Sequence, residues 1–106
     1  MTPEEAERAV QYLVDSAFPY AKAKARQTKA HAMLRHVKAL AMKASGEMVV
    51  SAQERNAYAS DEYKSAIDEE YEATLEFGKI QAAREAARVR VDFWRSLEAS
   101  RREAGV

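Results

Sequence analysis

The chain has 106 residues, of which 32% are charged, and its 17 lysines and arginines balance its 17 acids to a formal net charge of zero. That length holds one domain, and the lack of any cysteine excludes disulfides, thiol catalysis and thiolate metal sites. Two prolines and three glycines in a chain rich in alanine, glutamate, lysine and arginine predict helices rather than a sheet.

The first element is announced by Thr2, Pro3 and Glu5, a T-x-x-E capping box with proline at the first helical position. A helix is expected over residues 3–17, with Glu4, Glu5 and Glu7 at the positive end of its dipole. Pro19 lacks an N–H and disfavours helical geometry at Phe18, which predicts a break or kink there. A second helix is expected over 20–44, with Ala23, Gln27, Ala30, Leu34, Val37 and Ala41 as its inward seam at alternating spacings of four and three. Ser45 and Gly46 close it, because glycine takes the left-handed conformation that ends helices, and a loop is expected over 45–50.

Ser51 and Glu54 form a second capping box, predicting a helix over 51–103 with a defect near Ser60 and Asp61, where a cap would allow a restart. Gly78 alone costs about 1 kcal/mol relative to alanine and need not break that helix. Tyr63, Ile67, Thr74, Phe77, Ile80, Ala87, Val91 and Trp94 are its expected apolar stripe.

Charge is arranged in blocks. Residues 1–15 sum to −3, 16–46 to +7 with no acid, 47–76 to −7 and 77–106 to +3. Folding back near residues 44–51 sets basic against acidic arms, Lys43 near Ala52 and Lys22 near Ala73, and brings Glu4, Glu5 and Glu7 opposite Arg84, Arg88 and Arg90. The predicted fold class is therefore all-α, a long antiparallel helical hairpin forming a single helical domain over 1–106. Arms of ~40 residues would extend ~60 Å at 1.5 Å per residue. Thin shapes bury little surface, so a homo-oligomer is expected.

Chemistry is sparse. His31 and His36 lie about 140° apart on a helix. Asp68, Glu72 and Glu76 share a face, but there is no Glu-x-x-His of a dimetal site. Phosphate-binding loops, nucleophile elbows and zinc-protease motifs are missing from the sequence. The expectation is a protein that is not an enzyme and needs no cofactor or metal. No apolar run approaches the roughly 18 residues of a membrane span and no leader-like segment opens the chain, so no membrane association is expected. The functional signal is electrostatic. Lys22, Lys24, Arg26, Lys29, Arg35, Lys38 and Lys43, with Arg95, Arg101 and Arg102 near the C-terminus, are candidate contacts to nucleic-acid phosphates. The structural alternative pairs the same charges within the fold or oligomer. Trp94 is read as packing, with base stacking as the alternative.

Met42-Lys43, Ser51, Glu54-Arg55, Ala59 with Glu62-Tyr63-Lys64, Trp94-Arg95 and Arg101 form a pattern over about the last 75 residues. In it the chain resembles small helical proteins of tailed phages and prophages that accompany recombination and single-strand annealing genes. The resemblance implies a recombination mediator-like accessory factor in the cytoplasm of a bacterial host cell. Its implied partners are single-stranded DNA and a recombinase or single-strand binding protein.

Overall fold

The structure, a computed structural model, describes residues 1–105. These form four helices, α1 (Pro3–Asp15), α2 (Ala17–Ala44), α3 (Val50–Tyr58) and α4 (Asp61–Glu103). The all-α class is as the composition predicts.

Local chemistry sets each boundary. The N-terminal capping box forms as expected: the Glu5 amide donates to Thr2 Oγ1 (3.2 Å) and the Thr2 amide to Glu5 Oε2 (3.4 Å). The break induced by Pro19 falls earlier than expected, at Ser16. Pro19 has no N–H for the Asp15 carbonyl four residues back, and its ring crowds that carbonyl. The interruption is confined to one residue. Ser16 donates its amide to the Tyr12 carbonyl (2.8 Å) and accepts from the Tyr20 amide (2.9 Å), so α2 starts at Ala17 instead of Tyr20.

At the other end of α2, Ser45 Oγ donates to the Met42 carbonyl (2.9 Å) and accepts from the Glu47 amide (3.2 Å). Gly46 then turns the chain at φ +76°, where a side chain would be strained. The capping box expected at Ser51 is not formed. Val49 is the cap residue, without a side-chain hydrogen bond, and Ser51 lies inside the first turn of α3. Gln53 ties the loop instead, donating to the Glu47 carbonyl (2.8 Å). The segment expected as one helix over 51–103 is two, divided at the position foreseen for a restart: Ser60 Oγ donates to the Ala57 carbonyl (2.6 Å) and accepts from the Tyr63 amide (3.2 Å). Gly78 lies within α4 without interrupting it.

The chain packs as two compact units, Lys22–Phe77 and Met1–Ala21 with the segment from Gly78 onward. In the Lys22–Phe77 unit, α2 and α4 run antiparallel: Gln27 Nε2 donates to Thr74 Oγ1 (3.4 Å), His31 meets Glu70 (3.0 Å), and Lys38 reaches Glu54 (3.8 Å) at the α3 end. The expected α2 seam holds, with Ala23 and Ala30 buried and Gln27, Leu34, Val37 and Ala41 half-buried. The register does not. Sequence reasoning set Lys22 near Ala73, which would place Gln27 beside Asp68 rather than Thr74. The fold-back uses more chain than a simple loop, because α3 and the turn at Ala59 and Ser60 are inserted at the tip.

The facing seam on α4 also differs from the expected stripe. Ile67 is 48% exposed and Thr74 is exposed, whereas Ala66, Glu70 and Ala73 turn inward with Tyr63 and Phe77. Small side chains let helix backbones approach, and Ala73 is completely buried where a larger residue would hold them apart.

The other unit packs α1 and the start of α2 antiparallel to the second half of α4. Ala9, Ala87 and Val91 form its buried cluster, with Leu13 against it. Arg84 occupies a seam position in α4 and serves the break in the facing chain. Its Nη1 donates to the Leu13 carbonyl (2.7 Å) and to Ser16 Oγ (2.6 Å), and the guanidinium lies over the Tyr20 ring at 5.1 Å. Of the acids expected opposite Arg84, Arg88 and Arg90, Glu5 borders one groove with Arg90, but no ion pair joins Glu4, Glu5 or Glu7 to these arginines among the described residues. Arg84 is used at the break, Arg88 pairs with Glu85 along its own helix (3.3 Å), and Glu5 is engaged at the N-cap.

Charged hydrogen bonds to partly buried groups contribute about 1.5–3 kcal/mol. Replacing Arg84 by alanine should therefore lower unfolding free energy by about that much in urea titrations followed by circular dichroism. Arg84→Lys should recover only part of this, because an ammonium can donate to both oxygens but lacks the planar guanidinium that lies over the Tyr20 ring.

Candidate nucleic-acid interface

α2 carries all seven cations of the acid-free block, and its register decides which are consumed by the fold. Arg26 is consumed. It lies beside the seam and grips two carboxylates spaced seven apart on α4: Nε and Nη2 donate to Glu69 (2.8 and 3.2 Å), and Nη1 donates to Glu76. The hydrogen bond from Arg26 holds the Glu69 carboxyl below its usual range. The two carboxylates, Glu69 first, hold the guanidinium above its already high value.

Lys38 is also engaged. Its side chain is 27% exposed, its Nζ lies 4.7 Å from the Tyr58 ring centroid, and Glu54 is at 3.8 Å. The ammonium pKa is raised, by Tyr58 first and by Glu54 after it. Tyr58 packs edge-on to Tyr63 with ring centroids 5.3 Å apart, so both tyrosines have packing roles.

The other five cations of α2 stand clear. Lys22, Lys24, Lys29, Arg35 and Lys43 are exposed, and none forms an ion pair among the described residues. Lys22, Lys29 and Lys43 repeat at multiples of seven, with His36 at the intervening position, and so lie along one flank of the helix. Lys24 and Arg35 lie on the opposite flank. Between Lys22 and Lys43 the helix advances roughly 30 Å. No acid interrupts this length of α2, so a polyanion following it meets cations alone on that helix.

The C-terminal candidates are not sorted in this way. Arg95, Arg101 and Arg102 are all exposed, and Arg101 also makes an exposed pair with Glu98 along its own helix (2.9 Å) and lies 5.8 Å from the Trp94 ring. Trp94 is half-buried and borders a groove with Pro3, Ala6 and Val10 of α1. That favours packing over base stacking for its ring. Arg84, with its partners at the Ser16 break, is the residue whose role the sequence reading missed. The signal was present, since Arg84 continues the three-and-four spacing from Ile80 to Ala87, but a charged side chain at such a position reads as a surface residue.

Among the described residues no three histidine, aspartate or glutamate side chains gather as a metal would require. No helix among them is long and apolar enough to cross a membrane. No protein-family model, curated protein or solved structure matches this chain.

The Arg26 pairing has a definite pH dependence. Because Glu69 is depressed in the folded state, its stabilisation is present above the ordinary carboxylate pKa and disappears as pH falls through the folded value. Arg26→Gln should lower the urea midpoint at pH 7, with the two proteins converging as pH drops below the carboxylate range.

Proposed function

We propose that this chain is a non-enzymatic accessory protein of phage-type DNA recombination that binds single-stranded DNA through α2. The observation carrying this reading is the set of five exposed cations, Lys22, Lys24, Lys29, Arg35 and Lys43, that the Lys22–Phe77 unit leaves without an acid partner. Arg95 and Arg102 add phosphate contacts on the same reading. Arg26 and Lys38 act in the fold, and Arg101, exposed with only a surface pair to Glu98, remains a candidate phosphate contact. Lysines and arginines presented along a helix neutralise phosphates and release counterions without any base-specific motif. The recombination context, with a recombinase or single-strand binding protein as partner and a bacterial host cytoplasm as location, rests on the resemblance in residues such as Glu62-Tyr63-Lys64 and Trp94-Arg95.

A second reading is a helical protein-interaction module that binds no DNA. It is favoured by the pairing of Arg26, His31 and Lys38 with acids of their own unit.

Fluorescence anisotropy of a labelled single-stranded oligonucleotide separates the two. About five phosphate contacts give a log–log salt slope near −3.5, so affinity should fall on the order of a hundredfold between 50 and 200 mM salt. Glutamine at Lys22, Lys29 and Lys43 together should flatten that slope by about two units while leaving helicity unchanged, since none of the three is an internal partner. No anisotropy change at micromolar protein in low salt would overturn the DNA reading and leave the interaction module as the working one.

A further inference from the structure

The intramolecular seam leaves a second face of α4 uncovered. In the unit containing the second half of α4, Ala82, Ala86, Val89 and Phe93 recur at spacings of four, three and four and are all exposed, Val89 at 57% and Phe93 at 55%. This is the spacing of a coiled-coil seam, rotated away from the inward positions Ile80, Arg84, Ala87, Val91 and Trp94. The exposed apolar residues of α1 are a weaker candidate. Val10 and Val14 of α1, with Phe18 beyond the Ser16 break in α2, are spaced only by fours and form no straight stripe.

We propose that this α4 face is covered by the same face of a second copy of the chain, the two α4 helices running parallel. The flanking charges choose both the occupant and the direction. Beside the stripe, Glu85 and Asp92 lie on one edge and Arg90 on the other. Antiparallel self-pairing brings like edges together, setting Arg90 against its own copy and the acids against acids. Parallel pairing brings opposite edges together. Ion pairs across a parallel coiled coil join a residue before one seam position to the residue following the next, five further along the partner. Glu85 and Arg90 have that separation, and two-fold symmetry makes the pair twice.

The ends of the stripe agree with this pairing. Lys79 occupies the seam position before Ala82, and a single lysine there sets register and two-strandedness at some expense in stability. Ser96 continues the seam beyond Phe93. Glu85 currently contacts Arg88 at 3.3 Å on its own helix, an exposed pair of the kind worth little, so turning to Arg90 of a second copy gives up little. None of the cations assigned above to DNA takes part.

The chain contains no cysteine, so a single introduced thiol reports the geometry. Ser96→Cys in the full chain should form an intermolecular disulfide on mild oxidation, because a parallel two-fold seam brings the position against itself within disulfide reach. Gln11→Cys on α1 should not. By analytical ultracentrifugation at tens of micromolar, the unmodified chain should sediment at twice its mass. Phe93→Glu should sediment as a monomer of unchanged helicity. Glu85→Arg should raise the dimer dissociation constant about tenfold, with Arg90→Glu added to it restoring most of the loss. A monomeric parent chain, a dimer that survives Phe93→Glu, or a Ser96→Cys chain that does not crosslink while Gln11→Cys does would overturn the proposal.

Discussion

The packing of each unit rests on a seam of small side chains spaced alternately three and four residues apart. Ala6, Ala9, Ala23, Ala30, Ala73 and Ala87 are all buried, and no large side chain is completely buried among the described residues. Alanine permits close approach but contributes little area to remove from water, at roughly 25 cal/mol per Å². It also discriminates poorly. Sliding one helix by a heptad would set alanine against alanine again in several layers, so the apolar seam alone leaves register loosely specified. The polar members of the seam remove that freedom. Arg84 finds the Leu13 carbonyl and Ser16 hydroxyl only at the break, and Gln27 finds Thr74 in only one alignment. Ser16 is buried and its bond to Arg84 part-buried. Such a polar group without its partner costs about 1–3 kcal/mol, which penalises a slip in that unit more than the alanines do, whereas the exposed Gln27–Thr74 contact adds little.

The same physics explains what could be read from the sequence and what could not. Helix ends governed by local chemistry were legible: Thr2 with Glu5, Gly46 and the Ser60 restart each depend on residues within a few positions. The α2 seam was legible because its spacing is regular. The α4 seam was partly misread, since hydrophobicity ranks Ile67 above Ala73, whereas close helix approach selects the smaller residue. The cap at Ser51 failed because the loop from Ser45 to Gln53 offers the backbone other partners. Register was out of reach, because it depends on how much chain the tip consumes, and α3 consumes more than a simple loop.

For the candidate site, the sequence identified the basic helix but could not sort its charges. Arg26 lies nearer the seam than Lys29 and meets Glu69 and Glu76, and that meeting follows from the register. A reading without register assigns both to the same role. The sorting matters for electrostatics: exposed charges separated by more than about 8–10 Å are largely screened at physiological salt, so a neutral chain can still present a locally positive face. Lys22, Lys29 and Lys43 act locally in this sense, whatever the acids elsewhere in the chain contribute to its net charge.

The proposed self-association and the proposed polyanion binding would draw on different residues, Val89 and Phe93 of α4 for the first and the cations of α2 for the second. That separation has a consequence for affinity. Five exposed cations would by themselves give a weak and salt-sensitive contact, since each phosphate interaction is sequence-independent and competes with counterions. Joining two copies makes the second engagement with the same strand intramolecular, governed by an effective concentration instead of the bulk one, and avidity can exceed single-site affinity by 10²–10⁴ without a new contact. A loss of strand binding in a Phe93→Glu chain would therefore not place Phe93 on the DNA. Sedimentation separates the two causes, because Phe93→Glu would lose strand binding together with the dimer, whereas loss of α2 cations would reduce the phosphate contacts of a chain that still sediments at twice its mass.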